Sequence, residues 1–142
     1  MLQVLQILLT TNYPILIFLH CVGTNSFFVL MVFTNAGKLH EARGFLKEAL
    51  GAYSTALDLE PKHVPSLISA AVALRQLGGR PLPAVRCFLT DALRLDRTNH
   101  VAWFNLGLTY EDEGGSSSAL EAAECFQTAA ILEETAPPEP FR

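Results

Sequence analysis

The residues able to do chemistry are few and scattered along the 142-residue chain. The histidines stand at His20, His40, His63 and His100, and no pair shows the His-x-x-x-His spacing of a helical metal site. No cysteine lies within a few residues of another. A metal needs three or four converging ligands, so no metal site is expected. His63 and His100 each fall where a helix is expected to start, which suits a capping or surface role. Cys87 and Cys125 each precede a phenylalanine. Such a matched cysteine reads as a small apolar packing residue, and a nucleophilic thiol would need a partnered base. Glu111, Asp112 and Glu113 are consecutive, as are Glu133 and Glu134. Neighbours on a helix diverge by about 100° per step, so these carboxylates form a solvated acidic surface and not an acid/base pair. Gly78-Gly79-Arg80 and Gly114-Gly115-Ser116-Ser117-Ser118 lack the Gly-x-x-x-x-Gly-Lys of a phosphate loop and read as turns. The expectation is a chain with no catalytic residues, no metal and no cofactor, and hence no enzyme.

What remains is architecture. Half of the chain is hydrophobic and 17% is charged, which excludes a disordered polar chain. Ten Lys and Arg against 14 Asp and Glu give a net charge of −4, which argues against non-specific nucleic-acid binding. Three cysteines, an odd number without a close pair, argue against a disulfide-stapled secreted scaffold. The charges fall unevenly: residues 1–37 carry none, and all lie from Lys38 onward. Three readings of the apolar leader, residues 1–35, are open. It is a membrane segment broken by His20, Gly23, Thr24, Asn25 and Ser26, a signal peptide without a basic start, or translated non-coding sequence at a gene-model edge.

From residue 36 the chain repeats itself. Ala56-Leu57-Asp58-Leu59-Glu60-Pro61 is echoed by Ala92-Leu93-Arg94-Leu95-Asp96-Arg97, 36 positions on. Val64 and Val101, 37 apart, suggest one inserted residue. Tyr53, Phe88 and Phe126 form one recurring set, and Ala56, Ala92 and Ala129 another. Trp103, Leu106-Gly107, Tyr110, Ala122, Phe126 and Ala129 carry the tetratricopeptide pattern, whose basic period is about 34 residues. Gly37, Gly44, Ala49, Tyr53, Ala56 and Pro61 carry it in the first repeat. Leu67, Ala71, Leu74, Gly78, Ala84, Phe88 and Ala92 hold the places in a degenerate middle repeat. Small residues let paired helices approach, large ones fill the space between them, and stacking is obligatory because one pair cannot bury its apolar face alone.

The expected fold is all-α, a helix-turn-helix solenoid of about three repeats, 36–61, 64–97 and 100–134, with a Pro-rich tail over 135–142. Helices are expected near 36–43, 45–59, 64–77, 82–95, 100–113 and 119–134. Pro65 is tolerable in a first turn, Asn99 is a good N-cap, and Ser118 with Glu121 is a capping-box pattern for the last helix. Gly44, Gly78-Gly79 and Gly114-Gly115 mark the turns within each pair.

The segments DLEPKHVPSL, LTDALRLDRTNHVAWFNLG and EAAECFQTAAILEETAPPEPFR resemble the C-terminal end of the plant No Pollen Germination proteins. The likeness covers residues 36–142 and stops at Gly37. The family consists of longer tetratricopeptide proteins described as calmodulin-binding, related to the scaffold subunit of the plasma-membrane phosphatidylinositol 4-kinase complex. The resemblance implies a cytoplasmic scaffold, peripheral at the plasma membrane, with calmodulin and lipid-kinase complex subunits as partners. A chain anchored through a genuine span within residues 1–35, displaying the repeats in the cytosol, is the alternative.

First helices of such repeats line a groove. By spacing, Ile68, Val72 and Arg75 face it from the middle repeat, and Phe104, Leu108 and Glu111 from the last. The Lys/Asn set of a peptide-carboxylate clamp is missing, so the expected site is an apolar groove that receives a helix. Residues 75–97 hold five arginines (75, 80, 86, 94 and 97), and residues 98–142 hold eight acids against Arg142 alone. This polarity is either a partner-ordering feature or a solvated dipolar surface. As a calmodulin target, only 84–95 offers arginines with apolar anchors.

Overall fold

The computed structural model describes residues 26–79 and 81–136, and every regular element among them is an α-helix. In chain order these are α1 (Ser26–Ala42), α2 (Leu46–Leu59), α3 (Val64–Leu77), α4 (Leu82–Leu95), α5 (His100–Glu113) and α6 (Ser116–Thr135). The chain divides into two compact units, one ending at Ser66 and the other starting at Leu67. The expected spans of α3, α4 and α5 are matched residue for residue. No helix among the described residues is long and apolar enough to cross a membrane.

In the first unit α1 packs on α2. Val29, Leu30 and Ala36 of α1 are buried, as are Ala49, Ala52, Tyr53 and Ala56 of α2. Gly37 makes the contact possible, because a Cβ there would enter the Tyr53 ring. The tyrosine hydroxyl donates to Glu41 Oε2 at 2.9 Å, so the polar end of the ring is satisfied inside the pair. Gly44, at φ 80°, reverses the chain between the two helices. α1 starts ten residues before the expected position 36 and runs without interruption across the 35/36 boundary. The reason is packing: Val29, Leu30 and Thr34 present one buried face at helical spacing, in register with Ala36. The rest of the leader, residues 1–25, and the tail, 137–142, lie outside the described residues.

In the second unit α5 packs on both α4 and α6. The buried residues of α4 are Val85, Leu89, Ala92 and Leu93, whereas Ala84 is exposed and Phe88 is half-buried. Two positions of the middle repeat, Ala84 and Phe88, are therefore off by one residue from the sequence-based register, while Leu67, Ala71 and Ala92 are buried as expected. Val85, Leu89 and Ala92 stand 36 positions after Ala49, Tyr53 and Ala56. One helical step of about 100° separates Phe88 from the core position that its aromatic character suggested. The same shift separates the two cysteines: Cys125 is buried and Cys87 exposed. α3 and α5 also begin 36 residues apart, so Val64 matches His100, and the expected insertion before Val101 does not exist.

Asn99 caps α5 as expected, its Oδ1 accepting from the Ala102 amide at 3.1 Å. The capping box at Ser118 does not form. Gly114 (φ 70°) and Gly115 (φ 110°) complete the turn so tightly that α6 opens at Ser116, with no side-chain cap. Ser118 then sits inside the first turn. Gly107 repeats the device of Gly37, since a Cβ there would lie 2.7 Å from Phe126 Cε1.

Candidate functional site

The six residues expected to line a groove all fall on α3 and α5 within the second unit. Ile68 is buried, Val72 and Leu108 are half-buried, and Glu111 is exposed. Phe104 is 49% exposed, although its ring lies 5.6 Å from that of Phe126, tilted by 53°. One side of Phe104 thus leans on α6 and the other meets solvent. The groove positions therefore form a gradient: the middle repeat contributes side chains already largely covered, and the last contributes an open aromatic.

Arg75 anchors the far end. Its Nη1 lies 3.3 Å from Asp112 Oδ2, which ties the last turn of α3 to that of α5. Its Nε is buried without a hydrogen-bond partner. The acid that Arg75 meets is Asp112, one residue beyond Glu111. Sequence reasoning missed this pair and grouped Asp112 with a free acidic surface. A second missed pair lies beside it. Arg86 of α4 meets Glu113 through two contacts, Nε–Oε1 at 3.3 Å and Nη1–Oε2 at 3.4 Å. Its guanidinium carbon also sits 5.9 Å from the centroid of the Tyr110 ring. Two arginines of the basic middle segment are thereby matched to two acids of the acidic end. The signal for these pairs was the polarity of charge along the chain; their partners, 37 and 27 residues apart, needed the folded register.

The titrating groups do not converge. Burial pushes the Cys125 thiol up, and Glu121 and Glu124 reinforce the shift, which disfavours the thiolate a nucleophile needs. Burial also raises the Tyr110 hydroxyl, helped by Glu121 and Cys125 and opposed by Arg86. His63 precedes α3, and its Nδ1 lies 2.6 Å from Ser66 Oγ in the first turn of that helix. Burial lowers its pKa, with Lys38 adding to the effect and Glu60 opposing it. Among the described residues no three His, Cys, Asp or Glu gather to hold a metal ion. Arg80 lies outside the described residues.

No family model matches the chain. Over 107 residues it is 55% identical to the NPGR2 protein of Arabidopsis thaliana, a match covering 75% of this chain and 14% of that one. It is 37% identical over 105 residues to tetratricopeptide repeat protein 7B of Homo sapiens, covering 74% of this chain and 12% of the relative. The chain thus spans about a seventh of the length of the first of these relatives. Among solved structures, the tetratricopeptide domain of Arabidopsis OM64 superposes with a TM-score of 0.70 at 20% identity. That match covers 79% of this chain and 88% of the other, and it shows the fold.

Proposed function

We propose that this chain, a tetratricopeptide-repeat protein similar to the No Pollen Germination proteins, is a recognition module without catalysis that receives a partner helix on α3 and α5. The observation that carries the reading is the open aromatic of Phe104, with half-buried Leu108 one turn on along α5 and half-buried Val72 on α3, the two helices being tied by the Arg75–Asp112 pair. An apolar strip with one fixed charge pair suits an amphipathic helix, whose apolar face seats on the strip while its polar residues read the charges.

Partner identity is proposed from the resemblance. Calcium-loaded calmodulin is one candidate, and subunits of a phosphatidylinositol 4-kinase complex at the plasma membrane are the others. For calmodulin, the folded chain imposes a condition. Of the large apolar side chains in 84–95, Val85, Leu89 and Leu93 are buried, Phe88 is half-buried and Leu95 is 45% exposed. Calmodulin would therefore find only Phe88 and Leu95 within reach on the folded chain, and the other anchors only if α4 left its place.

Phe104→Asp combined with Leu108→Asp tests the groove. A pull-down against calmodulin with calcium, and against kinase-complex subunits, should lose its signal with the double variant, while helical content by circular dichroism stays unchanged. Undiminished capture by the variant would remove the groove from the binding surface.

A further inference from the structure

α6 has two unlike sides. Ala122, Cys125 and Ala129 face inward and are buried. On the other side Leu120, Ala123, Gln127 and Ile131 follow one another at three- and four-residue spacing, all exposed, and so form one stripe. Leu120 is 64% exposed and Ile131 is 55% exposed, the highest values for large apolar side chains among the described residues.

The borders of this stripe carry charge of a single sign. α6 has no Lys or Arg; Glu121, Glu124 and Glu134 lie to either side of the stripe, while Glu133, four residues after buried Ala129, falls on the inward side. The three ion pairs among the described residues lie on α3, α4 and α5, and none includes an acid of α6. The contrast with α5 is direct, because Asp112 and Glu113 there are matched by Arg75 and Arg86. α6 therefore presents an aliphatic seam bordered by uncompensated carboxylates. A second copy laid on this seam would bring like charges together. An anionic membrane surface would be repelled by it in the same way.

We propose that the outer stripe of α6 docks a basic amphipathic helix of a partner protein. The partner's apolar side covers Leu120, Ala123 and Ile131, and its Lys or Arg residues reach Glu121, Glu124 and Glu134. The site is separate from the α3/α5 groove and does not depend on it. Charge complementarity of this kind steers association and rejects partners of the wrong sign, and salt weakens it.

The test uses the full chain and two short synthetic helical peptides with the same Leu/Ala seam, one bordered by Lys and the other by Glu. Fluorescence anisotropy should show the Lys peptide binding roughly ten-fold tighter or more, with the gap closing as salt rises. The triple variant E121K/E124K/E134K should reverse the preference. Leu120→Gln with Ile131→Gln, at exposed positions where Gln is a good helix former, should weaken Lys-peptide binding by roughly ten-fold. Phe104→Asp should leave that binding unchanged. Equal affinity for the two peptides would overturn the proposal, as would undiminished binding by the double Gln variant, which would mean charge attraction alone. Loss of binding in Phe104→Asp but not in the Gln variant would place the peptide in the groove and overturn it too. So would sedimentation showing self-association that the Gln variant abolishes, since the occupant would then be a second copy.

Discussion

The first and last repeats use the same device to opposite ends. In each, a glycine on the first helix admits an aromatic ring from the second: Gly37 with Tyr53, and Gly107 with Phe126. Tyr53 is wholly buried, and its hydroxyl is held by Glu41. Phe126 is half-buried, has no polar end, and rests against a Phe104 that is itself half exposed. The first pair closes on itself, while the last leaves apolar surface in view. A repeat motif fixes which residues meet inside a hairpin. The residues beside the motif fix whether the meeting place is sealed or available.

Truncating the two rings gives the largest expected difference. Tyr53→Ala removes a fully enclosed ring and should cost about 3–5 kcal/mol in urea unfolding, whereas Phe126→Ala, already part-solvated, should cost about 2 kcal/mol. Equal losses would mean that the two pairs are alike and that Phe126 is better enclosed than its exposure suggests.

The glycines come next. Gly37→Ala pushes a methyl group into a ring that cannot retreat, and overpacking of this kind costs about 1–3 kcal/mol. Alanine's helix preference returns about 1 kcal/mol of this, leaving a net loss of about 1–2 kcal/mol where the ring is held fast. Gly107→Ala meets a ring with a solvent side to tilt toward, and the helix gains about 1 kcal/mol from alanine, so its net change should be close to zero. Hydrogen exchange in α1 and α2 against α5 and α6 reads the two effects separately, since repeats open locally.

The smallest effect concerns the links that open α3 and α5. His63 stands just before one helix, in contact with Ser66 Oγ, and Asn99 caps the other, at matched positions 36 residues apart. Asparagine does not titrate. Burial holds His63 in the folded chain below its ordinary 6.5, so the unfolded chain binds that proton more tightly. This contribution to stability is complete above pH 6.5 and is lost as pH falls from 6.5 through the lowered folded value. His63→Asn should flatten that part of the stability–pH curve, as measured by urea unfolding between pH 5 and 7.5, chosen as about a unit or more either side of the histidine midpoint. An unchanged slope would remove His63 as its source.

The helices themselves were legible in the residues. Apolar spacing, Asn99 and the paired glycines placed α3, α4 and α5 correctly, because these signals act within a few residues of one another. The candidate groove was legible only as a list of positions. The sequence named Phe104 and Leu108, but not that Phe104 would lean on Phe126 and keep one side free. Two positions of the middle repeat, Ala84 and Phe88, were misread for a related reason. An aromatic at Phe88 looked like the recurring core residue, yet the burial of Leu89 shows that position on the helix outweighs kind of side chain.

By itself, then, the chain's order of residues determined most of the elements: where α3, α4 and α5 start and stop, which residues are small enough for close approach, and that charge is segregated along its length. Only the tertiary structure decided which of those charges cancel, Arg75 with Asp112 and Arg86 with Glu113, and which stay unmatched on α6. It also decided that α1 reaches back to Ser26, and which apolar side chains remain in water. The physical reason is range. Capping, turn geometry and helical period are satisfied by neighbours within one or two turns, whereas ion pairs and burial depend on residues brought together from far along the chain.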